Sequence, residues 1–258
     1  MSVEAGRLFS PRNFPVYHVD VKEKKPFIDS WRFRLAKNHT IDDWSDFAPQ
    51  GFKEMKKVIA ICAGQVAPMM YRTAAGDLKT VASGIKKTAI SSLENPHSVS
   101  IEKLGVKTDE QSDLAVHGGI DKAVYMMPVQ HYEFWKERRV ERNLSDDLPY
   151  GFLGENLVVE GLDEDTVRIG DEFKIGEVIL RVTDPREPCY KFAIKMGYGN
   201  APKQMVQAGN CGWYTKVIKP GHMKAGDTIS KANDLESRHP TVKQVFDKKM
   251  KKGQMDLL

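Results

Sequence analysis

Val167-Arg168-Ile169-Gly170-Asp171-Glu172-Phe173-Lys174-Ile175-Gly176, followed at once by Val178-Ile179-Leu180-Arg181-Val182, is the stretch that decides the fold. Short runs rich in β-branched residues, broken by an Ile-Gly-Asp turn, read as strands joined by tight connections. The same punctuation returns at Ala225-Gly226-Asp227-Thr228-Ile229. Several short strands separated by glycine turns point to a mainly β protein, a β-barrel with a few peripheral helices, and away from a βαβ sheet.

Working outward, Lys57-Val58-Ile59-Ala60-Ile61-Cys62-Ala63 is a strong strand signal, and Thr80-Val81-Ala82 is expected to pair back on a neighbour. Residues 85–90 alternate apolar with basic and hydroxyl groups, which predicts a strand with Lys86 and Thr88 on one face and Lys87 on the other. Residues 98–106 suggest a further strand and turn, Val158-Val159 another, and Gly212-Trp213-Tyr214-Thr215-Lys216-Val217-Ile218 the next, before a Pro220-Gly221 turn. Residues 128–142 form the one convincing helix, with Pro128 in its first turn and Tyr132, Trp135 and Arg139 on one stripe. His131 reads as a structural residue on it. A short helix over 202–208 is closed by Gly209, and residues 239–258 read as one basic, solvated helix.

The chemistry concentrates at Asp184-Pro185-Arg186-Glu187-Pro188-Cys189-Tyr190-Lys191. Two prolines cannot donate to a ladder, so the stretch reads as a rigid loop after a strand rather than strand interior. Arg186 and Lys191 flank Cys189, and nearby cations favour the thiolate, the form that attacks electrophiles or binds soft metals. His117-Gly118-Gly119, with Asp121 and Lys122 just after, has the parts of an anion-cradling loop: open backbone N–H groups, an imidazole and a lysine. Glu155, in Tyr150-Gly151-Phe152-Leu153-Gly154-Glu155-Asn156-Leu157, is a candidate acid, base or orienting group on a glycine-bounded loop. Plain readings compete with each: a turn for Gly118-Gly119, a surface carboxylate for Glu155, an apolar filler for Cys189. Cys211 lacks flanking cations and reads as structural.

The chain has 258 residues, with Lys+Arg 39 against Asp+Glu 35. That mild balance does not argue for a nucleic-acid partner but allows a local basic pocket. No apolar run approaches the roughly 18 residues that span a bilayer. The start at Met1-Ser2-Val3-Glu4 lacks the apolar core of a signal peptide. Three cysteines, Cys62, Cys189 and Cys211, form neither a disulfide framework nor a zinc spacing, so a reducing cytoplasm is the expected compartment. Residues 1–54, with Pro11, Pro15, Pro26, Pro49 and scattered aromatics, read as an arm on the main domain or on a partner subunit, as in a homodimer. The main domain is expected over 55–232 and a helical tail over 233–258.

The motifs Pro185-Arg186-Glu187-Pro188-Cys189-Tyr190-Lys191, His117-Gly118-Gly119 with Asp121-Lys122-Ala123-Val124, and Gly151-Phe152-x-Gly154-Glu155-Asn156-Leu157 together resemble the MOSC domain, and most closely its YiiM-type bacterial members. The resemblance covers roughly Met55 to Lys231. It implies a closed β-barrel that binds the molybdenum cofactor, with Cys189 as a molybdenum–thiolate ligand. It further implies that Lys87, Thr88, Arg186, Lys191, Asp121, Lys122 and the His117-Gly118-Gly119 loop bind the cofactor, its pyranopterin phosphate above all. Glu155 and Asn156 would orient cofactor or substrate. The implied reaction is two-electron reduction of N-hydroxylated small molecules, such as hydroxylaminopurines, to the parent amine, with the cofactor carrying the redox step. No ferredoxin-like cysteine cluster accompanies the motifs, so a separate reductase would donate the electrons. YiiM-type members carry a three-helix segment after the barrel, whereas here only about 25 residues follow, with Arg238-His239-Pro240-Thr241-Val242 resembling its beginning. Two other functions fit the same residues: a cofactor carrier or sulfur-transfer module holding a persulfide on Cys189, and a non-catalytic scaffold binding a partner through the arm and the basic tail.

Overall fold

The computed structural model describes residues 55–73, 76–112, 118–233 and 239–255. The expected arm over residues 1–54 and the candidate ligand His117 lie outside the described residues. In chain order the first strands are β1 (Lys57–Ala63), β2 (Ala67–Arg72), β3 (Leu78–Ser83), β4 (Thr88–Ser92), β5 (Val99–Glu102), β6 (Gly105–Val106) and β7 (Val124–Pro128). Helix α1 (His131–Val140) follows, then β8 (Leu157–Glu160), β9 (Glu172–Ile175) and β10 (Val178–Pro185). Two short helices, α2 (Tyr190–Met196) and α3 (Ala201–Ala208), lead to β11 (Trp213–Lys219), β12 (Gly221–Met223), β13 (Ile229–Lys231) and the last helix, α4 (Val242–Met255).

Eight strands form one sheet in the order β13-β9-β10-β11-β7-β8-β1-β4. All neighbours are antiparallel except β7 and β8, whose parallel pairing sets Met126 opposite Leu157. A parallel pair needs a crossover connection, and α1 supplies it. Two smaller sheets, β2-β3 and β12-β5-β6, complete the strands. The protein is thus mainly β, as its glycine-punctuated runs predict.

The expected closed barrel is not found, because the eight-stranded order has two ends, β13 and β4. The sheet nevertheless curls back on itself. Ile229 N donates to Lys56 O at 2.7 Å, Val58 N donates to Asp227 O at 3.0 Å, and Lys57 bridges Thr228. β1 therefore meets the β13 end at its start and takes β4 along its later residues, through bulges at Val58/Ala60 and Ile61/Cys62. A bulge bends and twists a strand, which lets one strand serve both neighbours and leaves β4 as an end.

Several boundaries differ from expectation. Pro185 is not in a loop: it ends β10, opposite Trp213, where the missing N–H costs the ladder little. The strand expected over 85–90 starts only at Thr88. Val167 to Ile169 is not strand, and Ile169 N donates instead to Pro240 O at 3.0 Å. Pro128 closes β7 opposite Val159, so the helix begins three residues later than its proline suggests. The tail is neither one helix from His239 nor solvated. α4 starts after Thr241, whose Oγ1 accepts from Gln244 N at 3.2 Å while Gln244 Oε1 accepts from Thr241 N at 3.0 Å, a capping box. Val242 and Phe246 on α4 are fully buried.

α1 covers the sheet with Tyr132 and Trp135. Trp135 meets Phe192 of α2 edge-on, centroids 5.1 Å apart, and Arg139 Nη1 donates to the Met196 carbonyl at 2.6 Å. The helix that follows Cys189 is thus fixed through one indole and one guanidinium. Trp135→Ala is expected to lose about 3–5 kcal/mol of unfolding free energy, read by urea denaturation, because a fully buried indole leaves a cavity that its neighbours cannot fill.

Candidate functional site

Where β10 ends at Pro185, the chain turns through Arg186 and Pro188, and Cys189 becomes the residue before α2. The turn opens on a cleft lined by Arg186, Cys189, Lys191, Lys122, Tyr125 and Tyr214, with Lys87, Asp109 and Asn156 also on its surface. Cys189 is half-buried there, whereas Cys62 and Cys211 are sealed in the interior.

Arg186 is only 4% exposed. Its guanidinium lies 4.5 Å from the Phe192 ring centre and 5.6 Å from that of Tyr125, with Nη1 3.1 Å from Met205 Sδ. Among the described residues it has no carboxylate partner: its acidic neighbours Asp184 and Glu187 both bind Lys249 of α4, at 2.6 and 2.7 Å. A buried guanidinium with five N–H donors and no counter-ion is costly unless an anion completes it. Burial raises the pKa of Tyr214 above the ordinary phenol range against the opposing pull of Arg186, so the cleft carries a phenol that keeps its proton.

Lys87 reaches the cleft already engaged by an acid. Its Nζ lies 2.5 Å from Asp109 Oδ2, and both side chains are nearly sealed. Asp109 also accepts from Asn156 Nδ2 at 2.8 Å and from Gly64 N at 2.9 Å. Asn156 completes the unit, with Oδ1 accepting from Tyr125 N at 3.1 Å and Nδ2 reaching Cys62 O at 3.3 Å. Lys87 and Asn156 thus stiffen the floor of the cleft, through Asp109.

Comparison with known proteins gives the family. The MOSC domain family matches residues 113–230. Over 177 residues the chain is 35% identical to the uncharacterized protein YflK of Bacillus subtilis, covering 69% of this chain and 73% of that one. It is 33% identical over 153 residues to protein YiiM of Escherichia coli, covering 58% of this chain and 67% of that one. The crystal structure of YiiM from Geobacillus stearothermophilus superposes with a TM-score of 0.55 at 27% identity, covering 74% of this chain and 82% of that one. The chain is a YiiM-type MOSC-domain protein.

Within this MOSC protein the remaining sequence candidates fall in other places. Thr88 is exposed at the start of β4 and does not line the cleft. Asp121 is exposed, 3.7 Å from Lys216, and also stands off it. Gly119 N is not open to a ligand, because it donates to Gln111 Oε1 at 2.7 Å. Gly119 itself, at φ 87°, precedes the 3-10 turn Ile120–Lys122 that brings Lys122 to the cleft, with Nζ 5.5 Å above the Tyr214 ring. Glu155 is fully buried and off the cleft. Its Oε1 accepts from Tyr132 Oη and Gly151 N, Oε2 has no hydrogen-bond partner among the described residues, and burial raises its pKa. The glycines around it serve packing: Gly151 has φ +92°, and a Cβ there would lie 2.7 Å from the Lys87 carbonyl. His131 is structural, its Nε2 2.9 Å from Glu164 in a buried pair, and Cys211 is fully buried.

The structure therefore gathers Cys189, Arg186, Lys191 and Lys122 at one opening, with Lys87 and Asn156 behind them. Sequence reasoning missed Asp109 and Tyr214. Asp109 lies in the polar run Thr108-Asp109-Glu110-Gln111 and carries no periodic signal, whereas Tyr214, next to Trp213 on a predicted strand, was findable as an inward-facing phenol.

Proposed function

We propose that this protein binds the molybdenum cofactor, with Cys189 as the protein's ligand to the metal, and reduces N-hydroxylated small molecules such as hydroxylaminopurines. The observation that carries the reading is a half-buried thiol sharing a cleft with a buried guanidinium that has no carboxylate partner among the described residues. Among the described residues no group of three or more His, Cys, Asp or Glu could hold a metal. A metal here would come with its own chelating sulfurs and take one soft thiolate from the chain, which suits this cofactor. Its phosphate suits Arg186 and Lys191, with Lys122 on the same opening. When bound, the cofactor supplies two-electron redox chemistry.

The chain's residues do the rest. Arg186, fixed between Phe192 and Tyr125, sets where the anionic end rests. Lys191 donates to Ala82 O at 3.0 Å, which ties the cysteine turn to β3. The reaction breaks the N–O bond, takes up two electrons and two protons, and releases amine and water; Tyr214 is one protonated side chain on the wall that would relay one of the protons. Electrons would come from a separate reductase. A protein named "Reductase" from Gibberella moniliformis, 35% identical over 165 residues that make up 29% of its length, supports the oxidoreductase class.

The test is elemental analysis of protein purified from a host that makes the cofactor, paired with turnover of 6-hydroxylaminopurine under a low-potential donor. Bound molybdenum with amine formation is the expected result. Molybdenum without turnover of any hydroxylamine would defeat the reductase assignment, and a persulfide on Cys189 with no molybdenum would favour the carrier or sulfur-transfer function.

A further inference from the structure

We propose that Lys249, at the middle of α4, is a positioning residue that sets the charge of the cleft by holding Glu187 off Arg186. The inference rests on the anion-binding reading above.

Glu187 lies between Arg186 and Cys189 in the chain and contributes to the cleft surface. A carboxylate there opposes an anionic ligand and competes for the guanidinium. It is instead drawn to Lys249 Nζ, 2.7 Å from its Oε1, while Asp184 Oδ2 holds the same ammonium at 2.6 Å. The other acids of the cleft are also engaged: Asp109 with Lys87, and Glu110 with the Val66 N–H at 2.8 Å. Arg186 and Lys191 are thereby left without a carboxylate partner among the described residues.

The placement of Lys249 is built in. Thr241 caps the helix, and Val242 and Phe246 seat it in the core. Lys243, two turns earlier, is engaged with Asp247 at 2.8 Å. A helix that reads as a solvated tail thus delivers one cation to the two acids flanking the site's arginine. Remove that charge, and Glu187 loses its ammonium partner while standing one residue from a buried guanidinium; the ligand's place is then contested from within the chain.

The probe is inorganic pyrophosphate, titrated calorimetrically at low salt into the full chain and its variants, with thermal unfolding alongside. Lys249→Met is expected to weaken binding roughly tenfold, Lys249→Arg to retain it, and Glu187→Gln added to Lys249→Met to restore it. Lys249→Gln repeats the charge loss with a polar end and is expected to weaken binding to the same degree. Unchanged affinity in Lys249→Met or Lys249→Gln overturns the proposal. So does a loss that Glu187→Gln fails to restore, since a merely structural role predicts that. A wild-type chain that takes up no pyrophosphate fails differently: it overturns the anion-binding reading itself.

Discussion

Cys189→Ala is expected to fold as the parent does and to retain no molybdenum. The side chain is half-buried at the start of α2, and removing one sulfur from such a position changes stability by less than about 1 kcal/mol. The ligand it would give the metal has no substitute, because Cys62 and Cys211 are sealed in the interior and burial drives the thiol pKa of both upward. The loss should be near complete rather than graded. Elemental analysis and thermal unfolding of the same preparation separate the two effects. A variant with undiminished molybdenum would show that the metal is held elsewhere and would remove the thiolate from the mechanism.

Lys87→Met should cost about 3–5 kcal/mol of stability, the penalty of leaving one member of a buried ion pair without its partner. Among the described residues Asp109 would keep Gly64 N and Asn156 Nδ2 as donors, with no cation beside it beneath the cleft. Adding Asp109→Asn should return part of the loss, since the double variant buries no charge, and a double-mutant cycle in urea measures the coupling. Were Lys87 a phosphate contact, as the family resemblance suggests, Lys87→Met would instead leave stability near wild type and weaken only cofactor retention. Unfolding free energy separates the two: a loss of several kcal/mol on the first reading and almost none on the second.

The strands that bury both faces were legible because nothing in their residues competes: every residue of β1 from Val58 to Ala63 is buried, and β-branched apolar runs have few other uses. Boundaries at prolines were misread. Pro128 and Pro185 each end a strand, where a ladder does not need their missing N–H, yet locally they look like a helix start and a loop. At the site, Cys189 and Arg186 stood out from a short rigid motif, and the cleft brings them together. The pairing of Lys87 with Asp109 was not legible, because its partner is 22 residues away, in a segment with no pattern. The same cause hid the role of α4: Lys249 reads as one more solvent lysine until the fold places it 65 residues upstream, at Asp184. Local pattern carries propensity and turns, whereas charge pairing over long separations is a property of the folded chain alone.

The placement of β1 also bears on how the polypeptide emerges from the ribosome. This strand is among the first made, and β4 reaches it early, but its other flank waits for Leu157–Glu160 and its start for Thr228. At ordinary elongation rates of about 5–20 residues per second, that wait is on the order of ten seconds. For all of it the apolar run from Val58 to Ala63 stays half-covered in the nascent chain, the kind of exposure that recruits chaperones, so output in cells should depend on translation speed and temperature.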